Sequence, residues 1–201
     1  MDETLGIERI YRRIKELRSA ALDETQLICE LESEIQATEY VEEKVSLLSE
    51  LSTQLHFQGR LEEAEAAIKT RIALQPDLPD AWIRLSLHHL YCTENFSESF
   101  RIANIAIAKA HQDGNFLRLA HLERIRTSLK LGRFDSVQES LDFLTTYIPS
   151  RGCSDSALEG DFLKHIPPGA VDTELIQRYE EMRSAETELR KKWLESDIDE
   201  N

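Results

Sequence analysis

Helix breakers are scarce in this chain: its 201 residues include only 7 glycines and 5 prolines. The prolines stand at positions 76, 79, 149, 167 and 168, so long spans carry nothing that would interrupt a helical backbone. Cysteine is rarer still. Cys29, Cys92 and Cys153 are odd in number, widely separated and form no C-x-x-C pair, which argues against a disulfide framework or a zinc knuckle. Their expected state is buried thiols in a reducing compartment. No apolar run is long enough to cross a bilayer, and the opening MDETLGIERIYRRIKELRSA lacks the continuous apolar core of a signal peptide. The expected setting is therefore cytoplasmic. Basic residues are in deficit, 24 Lys and Arg against 38 Asp and Glu, for a formal charge of −14. A field of that sign repels nucleic acid and anionic membrane surfaces and favours a basic partner. Catalytic signatures are missing too: no G-x-S-x-G, H-E-x-x-H, Walker loop or dinucleotide fingerprint occurs. Scattered carboxylates on solvated faces do not replace them, because acid–base chemistry needs groups converging in a dry pocket. The expectation is a non-catalytic protein with no cofactor and no metal.

What the chain does have is a 41% hydrophobic composition, enough for a real core, and a repeated pattern. GRLEEA at Gly59 returns as NFSESF at Asn95 and as GRFDSV at Gly132, at nearly equal spacing. Each copy opens with a turn residue and a hydrophobic side chain, followed by a small or apolar position where two helices would approach closely. Asn95 and Glu98 read as a capping box, placing a helix start near 96.

These residues resemble the tetratricopeptide repeat, a helix–turn–helix unit of about 34 residues. The unit 45–78 matches best, with Gly59 at the turn, Ala64 at the small position of the second helix, Leu74 near its end and Pro76 closing it. PDAWIRLSLHHLY then puts Trp82 and Leu85 at the aromatic and leucine positions of the next first helix, where Trp82 is expected to be mostly buried. Ser86 departs from the usual Gly or Ala, the turn CTEN is about one residue longer than the family pattern, and Arg124 stands where an apolar leucine is expected. The resemblance implies an all-α, right-handed solenoid of antiparallel helix pairs. Residues 1–44 would form a degenerate leading pair, 45–149 three repeats, 150–171 a connecting loop, and 172–201 an amphipathic helix with an acidic tail. Leu175, Tyr179, Met182, Leu189 and Trp193 share one face of that last helix, as a cap on the array would require.

In the family resembled, the first helices of successive units line a concave groove that binds a segment of another protein. Aligned to the repeat, that groove receives Ile83, Leu87 and Leu90 from one unit and Leu119, Leu122, Arg126 and Leu129 from the next. It suits a helical or aliphatic peptide. The positions that would clamp a terminal carboxylate hold Ser49, Thr53, Ile83 and Leu87 in place of Lys and Asn, which argues against that ligand. The competing reading is that these leucines pack between neighbouring repeats. Arg118, Arg124, Arg126, Lys130 and Arg133 form a basic run that is either a recognition patch for an acidic segment or a solvated face complemented within the chain. No aromatics interleave with it as nucleic-acid binding would need. His88 and Cys92 lie one helical turn apart, but two ligands are too few for a metal, and a packed core cysteine is the expected outcome. Asn-Phe-Ser at Asn95 matches a glycosylation sequon, an accident of its capping role. The functional expectation is a protein-interaction adaptor or scaffold. The alternative is a dedicated sequestering protein, a secretion-type chaperone or immunity-type inhibitor for one basic or aggregation-prone client.

Overall fold

A computed structural model describes residues 12–20, 23–113, 116–147 and 162–199. All regular structure among them is helical. The helices are α1 (12–19), α2 (Glu24–Ala37), α3 (Val41–Phe57), α4 (Leu61–Leu74), α5 (Pro79–Tyr91), α6 (Phe96–Asp113), α7 (Leu117–Leu131), α8 (Phe134–Tyr147) and α9 (Thr173–Asp199), with a 3₁₀ turn at Phe162–His165. From α2 to α8 each helix packs on its successor in the chain, α5 also touches α7, and α9 lies on α8. None of the described helices is long and apolar enough to cross a membrane.

The turns follow from residues that the sequence marks. Gly59 and Gly132 take φ of +70° and +66°, a conformation that costs an L side chain roughly 1–2 kcal/mol. Both turns close with the same pair of bonds. Arg60 N–H donates to Leu55 O and Gly59 N–H to His56 O; likewise Arg133 N–H donates to Ser128 O and Gly132 N–H to Leu129 O. At the third turn Glu94 adopts φ of 51°, and Asn95 Oδ1 accepts from the Glu98 N–H at 3.2 Å. Only that half of the expected capping box is built, because the Glu98 carboxylate accepts from Arg101 instead. Asp23 and Gln26 form a complete box at the start of α2.

Packing explains which side chains occupy the crossings. Ala64 is fully buried in a cluster with Leu47, Leu48, Leu51 and Leu55, as a small residue under a helix crossing must be. Its counterpart between α5 and α6 is polar. Ser86 Oγ donates to Ser99 O at 2.9 Å and Ser99 Oγ to Ser86 O at 2.8 Å, so the departure from Gly or Ala is absorbed by mutual hydrogen bonds. Trp82 is half-buried, less than expected: its ring packs beside Ile68, Leu85 and Ile102, while its indole N–H reaches the Pro76 carbonyl at 2.8 Å near the surface. Cys92 is half-buried and Cys29 is exposed, so the expectation of buried thiols fails at Cys29; Cys153 falls outside the described residues.

The last helix has an apolar face against the preceding pair. Leu175 and Tyr179 are buried with Leu122, Ile125, Val137, Leu141 and Leu144, Phe162 from the 3₁₀ turn joins them, and Met182 packs alongside. Each such side chain contributes roughly 1.5–3 kcal/mol by leaving water. Asp172 starts the helix, its Oδ1 accepting from the Glu174 N–H at 2.9 Å. Further along, Arg118 Nη2 donates to Glu186 Oε2 at 2.8 Å, and Glu186 is buried. Leu189 is exposed, and the Trp193 side chain falls outside the described residues.

Candidate functional site

The residues aligned to a groove divide into two groups. Ile83, Leu90 and Leu122 are buried. Ile83 packs with Ala106, Ala110 and Ala120, and Leu122 with Ile125 and the C-terminal helix, so their apolar surface is used between helices of this chain. Leu87, Leu119, Arg126 and Leu129 are half-buried.

The basic run is largely complemented from within. Besides Arg118 on Glu186, Arg124 Nε donates to Ser140 Oγ at 2.6 Å and Nη1 lies 3.5 Å from Glu139. Arg126 Nη1 donates to Glu123 at 3.2 Å. Lys130 lies 5.8 Å from the centroid of the Phe96 ring and Arg133 4.5 Å from that of Phe100, within cation–π range. Arg124 shows how a charge replaces the expected leucine: it is largely shielded, burial lowers its pKa, and the Ser140 hydroxyl accepts a hydrogen bond from its Nε. Beneath the run, burial pushes the Glu123 carboxyl up to about 7 against the opposing pull of Arg126. Burial, with Arg124 and His111 nearby, brings His121 down to about 3.

Two aromatic side chains stand out at the surface. Phe57 is 77% exposed and Tyr91 63% exposed. Each is the last residue of its helix, α3 and α5, and they lie one repeat length apart in sequence. The ends of these helices meet, because His56 Nε2 and His88 Nδ1 are 2.9 Å apart. A cleft of about 520 Å³ is lined by Ile14, Lys15, Arg18, Glu50, Arg71 and Asp80, among others. Arg71 is buried and pairs with Asp80 at 2.6 Å, while its Nε and Nη1 have no partner among the described residues.

The contact between His56 and His88 belongs to a larger polar cluster. His56 Nδ1 lies 2.7 Å from the Ser52 carbonyl, and His88 Nε2 and His89 Nε2 lie 3.5 and 3.6 Å from the two Glu65 oxygens. Ligand atoms of His56, His88 and Cys92 all fall within 4.8 Å of one another. The sequence offers only His88 and Cys92 as a pair; His56 stands 32 positions upstream. Its one sequence signal is that this separation nearly equals the spacing of the repeated sequence pattern.

No family model, curated protein or solved structure matches this chain.

Proposed function

We propose that this chain is a non-catalytic adaptor or scaffold of tetratricopeptide-like architecture that binds a segment of another protein along its stacked first helices. The observation that carries this reading is the pair of exposed aromatics, Phe57 and Tyr91, at equivalent places on α3 and α5. Aromatic side chains combine large apolar area with few rotamers, and they dominate the energetics of protein interfaces. The half-buried Leu87 and Leu129 would extend the contact with aliphatic surface. The expected ligand is thus a short helical or extended segment with apolar anchors, held in the manner of helix-in-groove recognition.

Capture from an extract of the native cell on the immobilised full chain tests this reading. The native chain should retain partners that a Phe57→Ser/Tyr91→Ser variant loses while its helical circular dichroism is unchanged. Equal capture by both would refute the assignment of the surface. The formal charge of −14 supports the sequestering alternative. A single basic protein recovered at one-to-one stoichiometry would favour it, and many substoichiometric proteins would favour the scaffold.

A further inference from the structure

The hydrogen bonds around His56 and His88 dictate where their ring protons sit. The Ser52 carbonyl can only accept, so it takes the proton of His56 Nδ1. His56 Nε2 is then an acceptor, and the contact at 2.9 Å requires His88 Nδ1 to donate. This leaves His88 Nε2 as a bare lone pair. It is buried, has no hydrogen-bond partner among the described residues, and faces Glu65 Oε2 at 3.5 Å. Lys69 pairs with the other Glu65 oxygen at 2.7 Å, so the lone pair faces a carboxylate oxygen with no proton between them.

We propose that His56 Nε2, His88 Nδ1 and Cys92 Sγ bind one divalent metal ion of the zinc class. Zinc held at about 2.0–2.1 Å from nitrogen and 2.3 Å from sulfur sets tetrahedral nitrogens about 3.3 Å apart and nitrogen from sulfur about 3.6 Å. From their present 2.9 Å the rings part by about 0.4 Å. The thiol, which starts within 4.8 Å of a ring nitrogen of each histidine, closes in by side-chain rotation. The ion takes both nitrogen lone pairs that now share one proton. That proton passes to His88 Nε2, where Glu65 accepts it, and His56 keeps its Nδ1–H on Ser52 O. Each ligating imidazole then donates its second N–H, one to a carbonyl and one to a carboxylate, as metal-bound histidines almost always do. Cys92 releases its thiol proton to solvent, and its thiolate offsets one of the two positive charges. One thiolate and two imidazoles select zinc over magnesium or calcium, which require oxygen ligands. Three protein ligands leave the fourth tetrahedral position to water or to a donor from outside.

Cobalt(II) titration of the full chain, followed by zinc competition, tests the site. One equivalent of cobalt should produce a thiolate-to-cobalt charge-transfer band and the visible bands of a four-coordinate ion, and zinc should displace both. Cys92→Ser should abolish the charge-transfer band, while Cys29→Ser should leave it intact. His56→Asn and Glu65→Gln should each weaken binding about tenfold or more, through a lost ligand and a lost outer-shell acceptor. Zinc should raise the melting temperature of the native chain and not that of Cys92→Ser, whose circular dichroism should match the native spectrum. The proposal is overturned if the native chain gives no charge-transfer band, or if the band survives in Cys92→Ser and so belongs to Cys29 or Cys153.

Discussion

Ser86 and Ser99 hold α5 against α6 by exchanging hydrogen bonds, each hydroxyl donating to the other residue's carbonyl across the crossing. Both side chains are fully buried, so the contact combines close approach with complete satisfaction of its polar atoms.

Ser86→Ala removes one donor and should lower stability by about 1 kcal/mol, within the range for a single buried hydrogen bond. Ser86→Leu adds volume where none is available and should cost roughly 1–3 kcal/mol from overpacking alone, in addition to the lost bond. Urea midpoints for the two variants check the order; equal destabilisation would show that the helices can move apart. Ala64→Leu should behave as the overpacking case at the α3–α4 crossing.

The bond between Arg118 and Glu186 gives a second expectation. Glu186 is 2% exposed, so removing its cation strands a buried carboxylate. Arg118→Met should cost roughly 3–5 kcal/mol, and the double variant Arg118→Met/Glu186→Leu much less, because no charge is then left unpaired. Denaturant unfolding, with protease susceptibility of α9 as a local readout, distinguishes the two variants.

His121 and Glu123 should act on stability in opposite directions with pH. His121 titrates near 3 in the folded chain against an ordinary 6.5, so the unfolded chain binds the extra proton and stability falls as pH drops through 6.5 towards 3. Glu123 titrates near 7 against an ordinary 4.5, so the folded chain keeps a proton that the unfolded chain loses, and stability falls as pH rises from 4.5 to 7. Between 4.5 and 6.5 the two effects largely cancel. Below 4.5 only His121 still acts, and the chain should lose stability there. His121→Phe, which keeps a ring stacked on Phe143, should move acid unfolding to lower pH. Glu123→Gln should remove the cancellation, so that stability rises with pH between 4.5 and 6.5 through His121 alone and the native decline between 6.5 and 7 disappears. Thermal melts across pH for the three proteins check both signs.

The helices were legible because turn chemistry is local. Gly59 and Gly132 mark positions where a left-handed backbone is required, and Asn95 supplies a side-chain acceptor at a helix start. Ala64 was legible for the same kind of reason, since a small residue at a fixed distance after the turn glycine marks a crossing. The surface was harder to read. Periodicity places Ile83 and Leu122 on an apolar face, but it does not say whether that face is covered by the chain itself; the alanines of α6 and the C-terminal helix cover it here. The partners of the basic run were hidden similarly, because Arg118 meets Glu186 from a helix distant in sequence. His56 is not legible as a ligand from sequence spacing, because the cluster joins residues of two helices 32 positions apart. Phe57 and Tyr91 are single aromatics at helix ends, and their exposure becomes evident only once the helices are stacked.

Hydrogen exchange of the full chain, alone and saturated with its captured partner, tests the central claim most directly. A partner segment laid across the ends of α3 and α5 should slow exchange over residues 53–58 and 87–93, where Phe57 and Tyr91 stand, and Phe57→Ser/Tyr91→Ser should erase that protection. Protection confined to α9 or to α2, with those two stretches unchanged, would contradict the account.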